Sequence, residues 1–165
     1  MRVLFLDIDG VLNAHEPLCP HVMCGQIHDD KAALLKSVLL ETEAKIVLSS
    51  AWRYLVLRGE MNLIGINWLF RSHGLPNQSI IDITRADTMQ RETWDGSQPW
   101  PVVDERGKQI ADWLEHNPGI DGYAVIDDLD LGITVAGHPF VQTDGNIGMT
   151  AFDGARLIQL LKRSR

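Results

Sequence analysis

Four consecutive apolar residues, Val3, Leu4, Phe5 and Leu6, end abruptly at two acids, Asp7 and Asp9, with Gly10 behind them. An unbroken apolar run of that length reads as a strand buried on both faces. The pattern recurs at 46–50, IVLSS, and at 122–128, GYAVIDD, each an apolar run closing on polar side chains. Further strands are predicted over 79–83 and in PFVQT at 139–143. Between them the apolar spacing changes to that of helices. Residues 29–42 carry Ala32, Leu34, Leu35, Val38 and Leu39, and Asp29 or Asp30 could cap the start. Residues 52–72 read as helix in pieces, with Gly59 and Gly65 permitting a break and Gly74 with Pro76 closing the segment. A helix over 106–116 would turn Ile110, Ala111, Trp113 and Leu114 inward, and 151–163 forms an amphipathic helix with a basic end. Strands alternating with helices imply an α/β fold of three layers around a mostly parallel sheet.

Composition narrows this to one domain over 1–165, since 45% hydrophobic and 22% charged residues suit a folded chain with a sizeable core. Two stretches fall outside the regular pattern: a small cap-like loop at about 13–28 and a long polar loop at about 84–105. The second holds Pro99, Pro101 and two tryptophans, Trp94 and Trp100, which suit either base stacking or simple loop packing. Fifteen basic against 22 acidic residues give a net charge of -7. That argues against broad electrostatic capture of nucleic acid and leaves room for a local basic pocket. No run is long enough to span a membrane, and the first apolar run ends in DID without a signal-peptide pattern, so the cytoplasm is the expected location. Two cysteines make no disulfide scaffold.

In a parallel sheet the reactive crevice lies outside the carboxyl ends of the strands. The chain sets Asp7 and Asp9, Ser49 and Ser50, and Asp127 and Asp128 at three such ends. Residues two apart on extended backbone point the same way, so Asp7 and Asp9 can converge, and like charges that close call for a cation or a shared proton. An Asp-rich turn capping backbone amides is the alternative reading. Hard oxygen donors suit Mg²⁺. Asp7, Asp9 and Asp127 could supply part of its shell, with Asp128 adjacent and the Asp9 carbonyl able to serve instead of its side chain.

These motifs resemble those of the haloacid dehalogenase (HAD) superfamily, and specifically the HAD phosphatase-like domain of Swiss Army Knife RNA repair proteins. Asp7-Ile8-Asp9-Gly10-Val11-Leu12 resembles the opening DxDG motif, and Ser49, with Ser50 as alternative, matches the Ser or Thr that ends the second strand. SSAWR resembles the subgroup's SSWR-like motif with Ala51 as an added residue, which leaves the placement of Trp52 and Arg53 open. Arg106, or alternatively Lys108, matches the basic residue near a helix start, and Asp127–Asp128 the paired acids of the fourth motif. The likeness spans roughly 1–160, including FVQTDGNIGMT as a closing strand and turn. It implies a Rossmann-like HAD core with a minimal cap, Asp7 as nucleophile, and Asp9 as the acid that protonates the leaving group and then activates water.

The chemistry expected on that resemblance is Mg²⁺-dependent hydrolysis of a phosphomonoester through an aspartyl-phosphate. The amides of Ile8, Asp9 and Gly10 and the Ser49 hydroxyl could hold the outer phosphate oxygens, with Ser50 nearby. Arg106 or Lys108 would orient Asp7. Arg53 suits bidentate phosphate binding, with a surface salt bridge as the alternative. The substrate would be a phosphorylated small molecule or a nucleic-acid end. Two other readings share these residues: a HAD enzyme with another acceptor or a C–halogen substrate, and a noncatalytic nucleic-acid or protein-binding module. Asp130 reads as a loop charge or a supporting acid; Thr143 and Asp144 read as crevice rim or turn. His15, Cys19, His21, Cys24 and His28 offer possible zinc ligands, but their spacing matches no zinc motif, and a cap-like loop touching substrate is preferred.

Overall fold

The computed structural model describes residues 1–14, 26–85 and 105–163. Along the chain run β1 (Arg2–Leu6), α1 (Asp29–Thr42), β2 (Lys45–Leu48), α2 (Arg53–Leu57), α3 (Leu63–Ser72), β3 (Ile80–Ile83), α4 (Arg106–His116), β4 (Gly122–Asp127), β5 (Phe140–Gln142) and α5 (Ala151–Lys162). The strands form one sheet in the order β3-β2-β1-β4-β5. Every pairing among them is parallel. This is the α/β fold around a parallel sheet that the alternating pattern predicts, and the Rossmann-like core that the resemblance implies.

The apolar runs are continuous because both sheet faces are covered. Leu4, Leu6, Ile46, Leu48 and Ile126 join a cluster completed by residues of α1, α3 and α5. Their neighbours Val3, Phe5, Val47 and Val125 point the other way, towards Ile110 and Trp113 of α4. Phe5 meets Trp113 edge to face at 5.4 Å. From β1 the chain builds outward through β2 and β3, then returns to lay β4 and β5 on the opposite side. The strand order therefore reverses beside β1, and the crevice opens at the carboxyl ends of β1 and β4.

Three local expectations change. The residue before α1 is His28, which makes no side-chain cap, while Asp29 and Asp30 lie inside the first turn. There they favour the helix through its dipole. Ala111 faces solvent; α4 turns Arg106, Gly107, Ile110 and Trp113 inward. The break between α2 and α3 uses Gly59, whose φ of +72° suits glycine, whereas Gly65 lies within α3. Most of the cap-like loop and of the long polar loop, with His15, Cys19, His21, Cys24, Trp94 and Trp100, lies outside the described residues. No described helix is long and apolar enough to cross a membrane.

Candidate active site

Asp7 follows β1 and Asp127 ends β4, so parallel pairing sets the two carboxylates side by side. The Asp7 amide donates to the carbonyl of Ile126 at 3.0 Å, which continues the pairing past the strand end. Asp128 turns in beside them, and one oxygen from each of Asp7, Asp127 and Asp128 lies within 4.8 Å of the others. All three are nearly or wholly buried. Gly10 makes the approach possible. Its φ is +77°, and a Cβ there would stand 2.7 Å from the Asp128 Cγ.

Arg106 enters this group from the first turn of α4. Its Nη1 donates to Asp7 Oδ1 at 2.9 Å and to Asp127 Oδ2. The Leu129 amide donates to the other Asp127 oxygen at 2.9 Å. Lys108, the alternative cation, is exposed and pairs with Glu105 at 3.4 Å. Helical geometry accounts for the difference, because residues two apart on a helix do not share a face.

Burial dominates the electrostatics. Loss of hydration raises the Asp7 pKa well above the ordinary carboxylate range; Arg106 opposes the rise, and Asp127, Asp128 and Asp9 add to it. Burial likewise pushes Asp127 up to about 6 against the pull of Arg106. Among the described residues, three carboxylates meet one guanidinium in little water, an arrangement that suits further positive charge. A compact set of hard oxygen donors fits Mg²⁺, which keeps several waters and needs only a few protein ligands. Asp7, Asp127 and Asp128 could hold it.

The Asp9 side chain is not in that group of three. It is half-buried, and its two oxygens accept hydrogen bonds from Asn13 Nδ2 and Trp52 Nε1, each at 3.0 Å. The Asn13 side chain also accepts from the Gly10 amide at 2.9 Å, so of the three amides expected to hold phosphate, Gly10's already has a partner. The Ile8 and Asp9 amides have no backbone acceptor among the described residues. Ser49 Oγ is fully buried and has no hydrogen-bond partner among the described residues. Ser50 Oγ instead accepts from the Trp52 amide at 3.2 Å.

Arg53 is neither at the surface nor in a salt bridge with a described acid. It is wholly buried, donates to the carbonyls of Ser49 and Ser50, and reaches Gln109 Oε1 at 2.9 Å. It thus ties the end of β2 to α4. Thr143 donates to the Gly10 carbonyl at 2.8 Å, joining the β5 end to the turn after β1. Asp144 shapes its own turn through Asn146, and Asp130 accepts from the Thr134 amide; the Thr134 side chain first and its amide second lower the Asp130 pKa. Asn13, Gln109 and the link from Trp52 to Asp9 escaped the sequence reading. An Asn just after a DxDG turn is a common turn former, and that was the available signal.

A family model described as the HAD domain in Swiss Army Knife RNA repair proteins matches residues 3–153. No curated protein and no solved structure matches the chain.

Proposed function

The chain belongs to the family of HAD domains in Swiss Army Knife RNA repair proteins, and on that premise we propose that it hydrolyses phosphomonoesters with Mg²⁺ through an aspartyl-phosphate on Asp7. The observation that carries the proposal is the contact of Arg106 with both Asp7 and Asp127, beside Asp128, in a buried crevice.

Asp7 attacks phosphorus, forming an O–P bond as the ester O–P bond breaks. Asp9 delivers a proton to the departing oxygen. The donors from Trp52 and Asn13 fix its carboxyl group and leave other lone pairs for the proton. Asp9 then takes a proton from water, the water oxygen attacks phosphorus, and Asp7 is released with inorganic phosphate. Arg106 holds Asp7 in place and balances charge on the transferring group. The hydroxyl of Ser49 and the amides of Ile8 and Asp9 offer donors to its outer oxygens. Bound Mg²⁺, held by Asp7, Asp127 and Asp128, would supply Lewis-acid charge neutralisation between nucleophile and phosphate. The substrate in this reading is a nucleotide, a nucleic-acid terminal phosphate or a related small phosphoester, and the reaction belongs to the cytoplasm.

Phosphate release from a panel of sugar phosphates, nucleotides and 3′- or 5′-phosphorylated oligonucleotides tests the proposal. Asp7→Asn is expected to lower release by at least about 1,000-fold on any accepted substrate, as for loss of a nucleophile. Unchanged release by the variant would overturn it.

A further inference from the structure

Leu48 of β2 pairs with Leu6 of β1 and with Ile83 of β3, and Leu6 pairs with Ile126 of β4. All four pack on the α1–α3–α5 side of the sheet. The next residue along each strand must point to the opposite face, towards α4. Those residues are Thr84, Ser49, Asp7 and Asp127. Their backbones continue the pairing: the amides of Thr84, Ser49 and Asp7 donate to Leu48, Leu6 and Ile126, each at 3.0 Å. The four side chains therefore form one rank across the carboxyl ends of the strands, in the order Thr84, Ser49, Asp7, Asp127.

Asp7 and Asp127 are bonded to Arg106. The residues of the two hydroxyls, Thr84 and Ser49, are both 0% exposed, and neither Thr84 Oγ1 nor Ser49 Oγ has a hydrogen-bond partner among the described residues. Burying an unmet hydroxyl is costly, because it gives up its bonds to water without replacement, so two in one rank call for an explanation. Ser49 has one in the phosphate. Thr84 stands one strand spacing, about 4.8 Å, further from Asp7.

We propose that Thr84 is a substrate-binding residue whose hydroxyl bonds a hydroxyl group on the carbon next to the ester carbon, which makes the preferred substrate the phosphate of a polyol or sugar with a vicinal hydroxyl. The proposal rests on the phosphatase reading above. The spacing beyond Ser49 matches an oxygen on that neighbouring carbon. An uncharged threonine also suits a neutral partner, which it can serve as donor and acceptor. A second phosphoryl group would call for a cation, and Arg53, at the end of β2, directs its Nη atoms to the Ser49 and Ser50 carbonyls and to Gln109.

The test uses two substrate pairs that differ by that hydroxyl: glycerol 3-phosphate against n-propyl phosphate, and ribonucleoside against 2′-deoxyribonucleoside 3′-monophosphates. The wild-type protein is expected to favour the hydroxylated member of at least one pair by roughly 3–10-fold in kcat/KM, the range for one neutral hydrogen bond. Thr84→Val, which keeps the shape, should erase that preference by lowering kcat/KM for the hydroxylated member, chiefly through KM. Thr84→Ser should restore it. Loss of an unmet hydroxyl should leave Thr84→Val at least as heat-stable as wild type, which separates this effect from misfolding. Absence of a wild-type preference, or an equal effect of Thr84→Val on both members, overturns the role of Thr84; the same preference surviving in Thr84→Val does so too. Phosphate release that survives Asp7→Asn, or that wild type lacks on the whole panel, overturns the phosphatase reading instead.

Discussion

A carboxylate taken out of water holds its proton to higher pH, and two such groups lie beneath this crevice. Asp127 ordinarily titrates at 3.8 and in the fold at about 6. Between those values the folded chain binds a proton that the unfolded chain has released, so this residue's contribution makes stability fall as pH rises through that window. Asp30, Asp121 and Asp130 have lowered values and act in the opposite sense, which makes the comparison with a variant the informative one. In EDTA, Asp127→Asn is expected to equal wild type near pH 4 and to exceed it above pH 6, by about 1–3 kcal/mol in urea unfolding. A constant difference from pH 4 to 7.5 would count against the buried-acid account. The acids themselves were legible because each follows an apolar run. The bonds from Trp52 and Asn13 to Asp9 were not, since an indole 43 positions away meets that carboxylate only after β1 and β2 pair.

The element that assembles the site is α4. Its first turn lies against the segment after β4: the Gly107 amide donates to the Leu131 carbonyl at 3.1 Å. The Gly107 carbonyl faces His138 Nε2 at 2.7 Å. A ring nitrogen facing a carbonyl must be the donor, so the other nitrogen of a neutral His138 accepts from the Tyr123 hydroxyl at 2.9 Å. This bracing carries Arg106 to the acids. A Cβ on Gly107 would sit 2.2 Å from the Gly132 carbonyl oxygen, a backbone atom that cannot rotate away. Alanine normally gains up to about 1 kcal/mol over glycine inside a helix, but overpacking costs about 1–3 kcal/mol. Gly107→Ala should therefore lower the melting temperature by a few degrees and reduce phosphate release more than stability alone explains, because it moves Arg106. A melting temperature at or above wild type would refute the close-packing argument. Periodicity gave α4 the right ends, 106–116, and misread only its face at Ala111. The face depends on how the helix rolls against the sheet, which Phe5 and Trp113 decide.

At the scale of the whole molecule, folding gathers Asp7 and Asp127, 120 positions apart by number, into one cluster with Asp128. Metal that binds this cluster binds only the folded chain, so Mg²⁺ at ten times its dissociation constant should stabilise by about 1.4 kcal/mol and raise the melting temperature by roughly 3–6 °C. The rise should vanish in EDTA and shrink in Asp127→Asn; an equal rise in that variant would assign the effect to another site. By itself the sequence determined the α/β class, the order of strands and helices and the identity of the strand-end acids. Those features are written in local apolar runs and their polar ends, which depend on neighbours along the chain. The tertiary structure alone decided that Arg106 rather than Lys108 meets Asp7, that Arg53 ties the end of β2 to Gln109 of α4, and that Thr84 joins the rank beside Ser49. Each of those depends on strand register and helix roll, which are set by packing between segments distant in sequence.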